Sequence, residues 1–299
     1  MEAMQGTLAT EARPRDAARE ATAAAPPGAA TGAAIDGPDA PDLAADAPPA
    51  APPPPVIGLE QLRKAGFVVT GAGAMRSRVT EELGVIQHQV RRSVQTAEQT
   101  EGRIARLVLV TSAKPGEGKT FCSLNIAARL ALGSSEQVLL VDADGKATGS
   151  LTQLLGFDDT PGLRRLAVDP SQRPEPLLQQ TAIERLSFLS YGPGAADATD
   201  LPSGQMLAHA AERLAAAFPG RILVFDTPPC LYTSEPTALA AVAGQVLLVV
   251  RAESTQRDEV EAALDMVESC PTLQLVLNRT RMVTKSTFGA YGYYGYYNG

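Results

Sequence analysis

Residues 110–121 read VTSAKPGEGKTF. The run before the loop, RLVLVT (106–111), is short and apolar, as a buried strand requires. The run after it, FCSLNIAARLALG (121–133), has helical character and stops at Gly133. Between them stands Gly116-Glu117-Gly118-Lys119-Thr120. Glycines there let backbone N–H groups turn inward around phosphate oxygens. Lys119 is placed to reach the β- and γ-phosphates, and the Thr120 hydroxyl to hold Mg²⁺. The following helix points its positive end at the same anion. Ala113 stands where the standard P-loop has its first glycine.

Downstream, strand-sized and helix-sized segments alternate. QVLLVD (137–142), RLSFLSY (185–191), RILVFD (221–226), QVLLVVRA (245–252) and LQLVLN (273–278) read as strands. Gly204–Ala217, Thr237–Ala243 and Asp258–Ser269 read as helices. Near-continuous apolar strands alternating with helices predict an α/β fold: a P-loop NTPase with a mostly parallel sheet covered by helices on both faces. Ligands on such sheets sit beyond the carboxyl ends of the strands. The chemistry is therefore expected at those ends.

Two carboxylate sites stand there. VLLVDADG puts Asp142 and Asp144 after one strand; in extended chain they would project to the same side. An acid pair beside phosphates can orient a Mg²⁺ shell or accept a proton from an attacking hydroxyl. ILVFDTPP puts Asp226 after another strand, in the position of a Walker B acid that holds the metal through Thr120 or a water. Asn278 ends the last strand, where an amide can both donate to and accept from an adenine edge.

Four segments are expected. Residues 1–57 form an Ala/Pro-rich tail; Ala and Pro exceed half of the first 56 residues, too few large apolar groups to offset ordering entropy. Residues 58–100 are helix-forming, with a cap at Thr80 and Leu83, Ile86 and Val90 at helical spacing. Residues 101–285 hold the P-loop domain. Residues 286–299 end in YGYYGYYNG, which holds five of the seven tyrosines. The net charge is −7, of which eight acids and three arginines in the first 56 residues contribute −5. The remainder carries no basic stripe, which argues against nucleic-acid partners. No apolar run reaches the ~18–20 residues of a membrane helix. Three scattered cysteines without a CxxC suit a reducing, cytoplasmic compartment.

VTSAKPGEGKT, VLLVDAD and VFDTPP, in that order and followed by a tyrosine-rich tail, resemble the bacterial tyrosine kinases. The likeness is greatest to the exosortase-associated tyrosine autokinases of exopolysaccharide clusters, and it covers roughly residues 80–299. Their fold is of the MinD/ParA-like subclass. The resemblance implies ATP and Mg²⁺ as cofactors, held by Gly116, Gly118, Lys119 and Thr120, with Lys114, Glu117 and Phe121 among the nucleotide-binding positions and Asn278 facing adenine. Lys119, Asp142, Asp144 and Asp226 would be catalytic: Asp142 as base, and Thr120, Asp144 and Asp226 around the metal. The acceptors would be Tyr291, Tyr293, Tyr294, Tyr296 and Tyr297, phosphorylated in trans by another copy. The implied partner is a membrane-bound polysaccharide chain-length protein that recruits the kinase to the inner face of the membrane. The implied role is control of polysaccharide chain length and export.

Two departures stand out. The family follows its DxD with Arg-Pro, whereas this chain reads DADGKATGS, with Lys146 as the nearby cation. The family's EX2RX2R oligomerisation motif has Gly84 and Gln87 where arginines would stand. Two other readings compete. Lys114, five residues before Lys119, matches the second lysine of MinD/ParA-type ATPase switches, which reaches into a partner's nucleotide site. Glycine-spaced tyrosines also suit a nucleotide-binding scaffold with an adhesive tail.

Overall fold

In the computed structural model, the structure describes residues 56–68, 77–96, 102–146, 148–193 and 201–280. Seven strands form one sheet: β1 (Ile104–Ser112), β2 (Gln137–Asp142), β3 (Gln179–Gln180), β4 (Leu186–Leu189), β5 (Arg221–Asp226), β6 (Ala243–Arg251) and β7 (Leu273–Asn278). Their order is β3-β4-β2-β5-β1-β6-β7. Every pairing is parallel except that of β3 with β4.

The period-2 geometry of a strand explains why the apolar runs are unbroken. Val108 and Val110 of β1 join Val138 and Leu140 of β2 and Ile222 and Val224 of β5 on one face. Leu107, Leu109, Leu139, Val141, Leu223 and Phe225 join on the other. The first face is covered by α2 (Arg78–Thr96) and α3 (Lys119–Gly133). The second is covered by α5 (Leu163–Val168), α6 (Gly204–Ala217), α7 (Glu235–Val242) and α8 (Arg257–Met266). Two short helices complete the fold: α1 (Leu59–Lys64) and α4 (Leu151–Leu155). The doubly covered parallel sheet expected from the sequence is the fold observed.

The expected cap of α2 is corrected. The helix starts at Arg78, and Ser77 takes the cap position: Thr80 N donates to Ser77 Oγ at 3.2 Å and Ser77 N donates to Thr80 Oγ1 at 3.1 Å. Thr80 thus closes a reciprocal cap from inside the first turn. Leu83 and Val90 are buried and Ile86 packs on them, as their spacing predicts.

Gly84 and Gln87 lie at the contact between α2 and α3. A Cβ on Gly84 would stand 2.7 Å from Arg129 Nη2, and a Cβ on Gly133 would stand 3.4 Å from Gln87 Nε2. Gly84 therefore makes room for the Arg129 guanidinium. The Ala/Pro tail up to residue 55 and the tyrosine cluster at 291–297 lie outside the described residues.

Candidate active site

β1, β2 and β5 are neighbours, so their carboxyl ends meet. Asp142 pairs in register with Asp226, and Val110 pairs with Asp226 on the other side. The chain is tied down as it leaves each strand. Ala143 N donates to Asp226 O at 2.8 Å, and Thr227 N donates to Val110 O at 3.1 Å. Asp142 and Asp226 are fully buried on the α3 side of the sheet.

The P-loop opens directly above them. Gly116 has φ 80° and Gly118 φ 100°, the left-handed region that side chains avoid. Lys119 is buried, and its Nζ lies 3.3 Å from Asp144 Oδ2. Lys146 Nζ approaches the same oxygen at 2.6 Å. Asp144 thus holds two ammonium groups, one from the P-loop and one from its own turn.

Asp142 and Asp144 meet different partners. Asp144 N donates to Asp142 Oδ1 at 3.0 Å, and Thr152 N donates to Asp142 Oδ2 at 2.7 Å. Ala143 between them packs with Leu139 and Val141 on the opposite face.

Burial, and secondly the neighbouring Asp226 charge, push Asp142 up to about 7. Burial likewise pushes Asp226 up to about 6, against the pull of Lys119. A carboxylate near 7 is matched to proton transfer at neutral pH. Asp226 Oδ1 accepts from Ser123 Oγ at 3.0 Å, whereas its buried Oδ2 has no hydrogen-bond partner. An orphaned buried carboxylate oxygen at the foot of the P-loop fits a divalent cation. Among the described residues no three His, Cys, Asp or Glu side chains converge as a metal cage.

Several contributors were not singled out for their contacts by sequence. Glu117 is buried within the P-loop. Its Oε2 accepts from Lys114 N at 2.8 Å and its Oε1 accepts from the Thr255 hydroxyl. Asn278 Nδ2 donates to Glu117 O at 2.8 Å, and Asn278 Oδ1 accepts from Arg279 N at 2.8 Å. The Asn278 amide therefore braces the P-loop with one N–H and one lone pair, and an amide carries a second of each for a base edge. Lys114 is held by Glu259 at 2.6 Å within its own chain.

Glu117→Ala should weaken nucleotide binding about tenfold, because the loop loses two tethers. Glu117→Gln keeps an acceptor for Lys114 N and should retain most of the affinity; calorimetry with ADP and Mg²⁺ compares the two.

A cavity of about 670 Å³ opens beside the P-loop between α2 and β7; Gly118, Asn278, Phe121, Val79, Leu83 and Leu277 are among its lining. Phe121 lines this cavity together with P-loop Gly118. Cys122 follows it in the first turn of α3, yet burial pushes its thiol up to about 12. All three cysteines are buried and free.

No family model matches the chain. Curated relatives do. One is a putative tyrosine-protein kinase, EpsB, of Ralstonia nicotianae: 32% identical over 179 residues, covering 60% of this chain and 23% of the relative. Another is the tyrosine-protein kinase YwqD of Bacillus subtilis: 29% identical over 191 residues, covering 63% of this chain and 78% of the relative. The match thus spans less than a quarter of the Ralstonia protein. Among solved structures, the VpsO kinase domain superposes with a TM-score of 0.51 at 27% identity, covering 68% of this chain and all of that domain. The chain is a relative of the bacterial tyrosine kinases in both sequence and fold.

Proposed function

From this kinship, we propose that the chain is an ATP-dependent protein-tyrosine kinase whose acceptors are its own C-terminal tyrosines, Tyr291, Tyr293, Tyr294, Tyr296 and Tyr297. The observation that carries the reading is the convergence of Lys119, Asp142, Asp144 and Asp226 at the ends of three adjacent strands. When bound, Mg²⁺ would supply neutralisation of phosphate charge. Thr120, Asp144 and Asp226 would hold it, directly or through water.

The chain's own groups supply the rest. Backbone N–H groups of Gly116 and Gly118 cradle the phosphates, and Lys119 neutralises charge on the γ-phosphate. The base enters the cavity beside Phe121 and Asn278. A free phenol has a pKa near 10, so Asp142 takes its proton as the phenol oxygen bonds to the γ-phosphorus and the bond from that phosphorus to the β–γ bridging oxygen breaks, ADP leaving with the electron pair. The twelve residues from Arg279 to Tyr291 reach at most about 40 Å when extended, enough for a second copy's site. Each phosphate adds about −1.5 to −2 charges, and several in nine residues repel one another.

By resemblance, the partner is a membrane-bound chain-length protein, and the process is polysaccharide polymerisation and export. The proposal places the kinase at the inner membrane face through that partner; among the described residues no helix is long and apolar enough to cross a membrane. The ion pair between Lys114 and Glu259 favours this reading over the ATPase switch, which needs its second lysine free to cross to a partner.

Intact-mass measurement after incubation with ATP and Mg²⁺ tests the proposal. A ladder of phosphate additions mapped to residues 291–297 is expected. Replacement of the five tyrosines by Phe should abolish it. Unchanged ATP turnover in that variant, with no phosphotyrosine in the parent, would favour the switch.

A further inference from the structure

Asp142 is held by a circuit that runs through two other loops. Thr152 lies at the start of α4 and is buried. Its N–H donates to Asp142 Oδ2 at 2.7 Å, and its Oγ1 accepts from Tyr191 N at 2.8 Å. Tyr191 stands just beyond β4, the strand beside β2 in the sheet, and is 7% exposed. Its ring presses on the turn that carries Asp144 and Lys146. A Cβ on Gly145 would come within 2.7 Å of Tyr191 Cζ and 2.9 Å of its Cε1 and Oη. A side chain at position 145 would have to push that ring aside.

The far side of the circuit is fixed in turn. Tyr191 O accepts from Arg164 N and Ser190 O accepts from Leu163 N, each at 2.8 Å. A Cβ on Gly162 would lie 2.0 Å from Ser190 O, so α5 and the exit of β4 are in closest approach. The exit of β4 is thus anchored to α5, and from that anchor one arm reaches the Asp142 carboxylate and the other reaches the Gly145 turn.

We infer that Thr152 and Tyr191 are positioning residues: together they fix the direction of the Asp142 carboxylate and the height of the Gly145 turn over the P-loop. The contacts have that consequence because each carboxylate oxygen of Asp142 has its own backbone donor, Asp144 N or Thr152 N, and the circuit constrains both. Neither residue is placed against the substrate: Thr152 acts through the Asp142 carboxylate, and Tyr191 through Thr152 and the Gly145 segment. Tyr191 acts through its ring and its backbone, and Thr152 through its N–H and Oγ1. Displacement of a reacting group by about 1 Å costs on the order of 10²-fold in rate, so loss of either arm should show in kcat while ATP binding by the P-loop persists.

This inference rests on the kinase reading, and the test separates the two. In the full-length protein, autophosphorylation and ADP release are followed against ATP concentration for Thr152→Val, Thr152→Ser, Tyr191→Ala and Tyr191→Phe, with ADP affinity and thermal midpoint for each. Thr152→Val and Tyr191→Ala should lose about 10- to 100-fold in kcat with KM for ATP and ADP affinity within about twofold. Thr152→Ser, which keeps Oγ, and Tyr191→Phe, which keeps the ring, should recover most of it. Wild-type kcat in both Thr152→Val and Tyr191→Ala overturns the inference; so does a loss that tracks ADP affinity, which would make the role merely structural. Should Thr152→Val fail to fold, the Tyr191 pair decides alone. If the parent releases ADP without forming phosphotyrosine, the kinase reading falls, and the same ratios are read on ADP release, where Asp142 would direct water instead.

Discussion

Lys119→Met should abolish phosphotyrosine formation, lowering it by about 10³-fold or more, while the protein still folds. The rate loss follows from where the ammonium sits. Lys119 is buried at the N-terminus of α3 and paired with Asp144 at 3.3 Å. It is the P-loop's own cation, and a factor of 10³ corresponds to about 4 kcal/mol of transition-state stabilisation. Folding should survive for a different reason. Removing one partner of a buried ion pair is costly when the other charge is left alone. Here Asp144 keeps Lys146 at 2.6 Å, and Met matches the volume of the lysine stem. The comparison therefore uses three measurements: phosphotyrosine, thermal midpoint and ADP affinity. Label persisting near the parental level would overturn the assignment of Lys119. Collapse of the midpoint would show that Lys146 does not compensate. Lys146→Ala is the milder companion, because Lys119 still faces Asp144.

The contrast between the paired and unpaired acids explains what the sequence makes legible. β1, β2, β5 and β6 are readable because strands buried on both faces must be apolar throughout. A P-loop or an acid then marks the end of three of them. Lys119, Asp142 and Asp226 follow from that rule. α4 and α5 were not readable: helices of five and six residues are too short for a 3.6-residue period to repeat. β3, of two residues, carries no alternation at all. Thr152 and Tyr191 were hidden for another reason. They lie 10 and 49 residues after Asp142, and only the placement of β4 beside β2 brings them to it. Asn278 was correctly marked as a polar strand end, yet spacing could not reveal that its amide meets Glu117 O.

Asp226→Asn should make the metal-free protein more stable and the enzyme inactive. The carboxylate sits fully buried beside Asp142, with Oδ2 unpartnered. Burial raises it from 3.8 to about 6, and Asp142 rises to about 7. A group whose folded pKa is raised is fully accommodated below its unfolded value and disfavours folding once pH passes through the folded value. Stability in EDTA should therefore fall between about pH 4 and pH 7 and level off above, opposite in sign to a salt-bridged carboxylate. A shift of about two units is worth about 3 kcal/mol at neutral pH. An amide left without a partner returns about 1–2 kcal/mol of that. A net gain of about 1–2 kcal/mol, at about 2–4 °C per kcal/mol for a domain of this size, should be visible in thermal melts at pH 7.5. The pH slope of the variant should be flatter. With Mg²⁺ and ATP the ranking should reverse: the parent gains stability from the ligand by mass action, and the variant, lacking the anionic oxygen, gains little and transfers phosphate at least about 10²-fold more slowly. A lower midpoint for the variant in EDTA at pH 7.5, or an unchanged pH slope, would refute the argument. It would mean that the Asp226 charge is satisfied without a cation. If the prediction holds, the oxygen that costs the protein stability is the one that gives the cation its place.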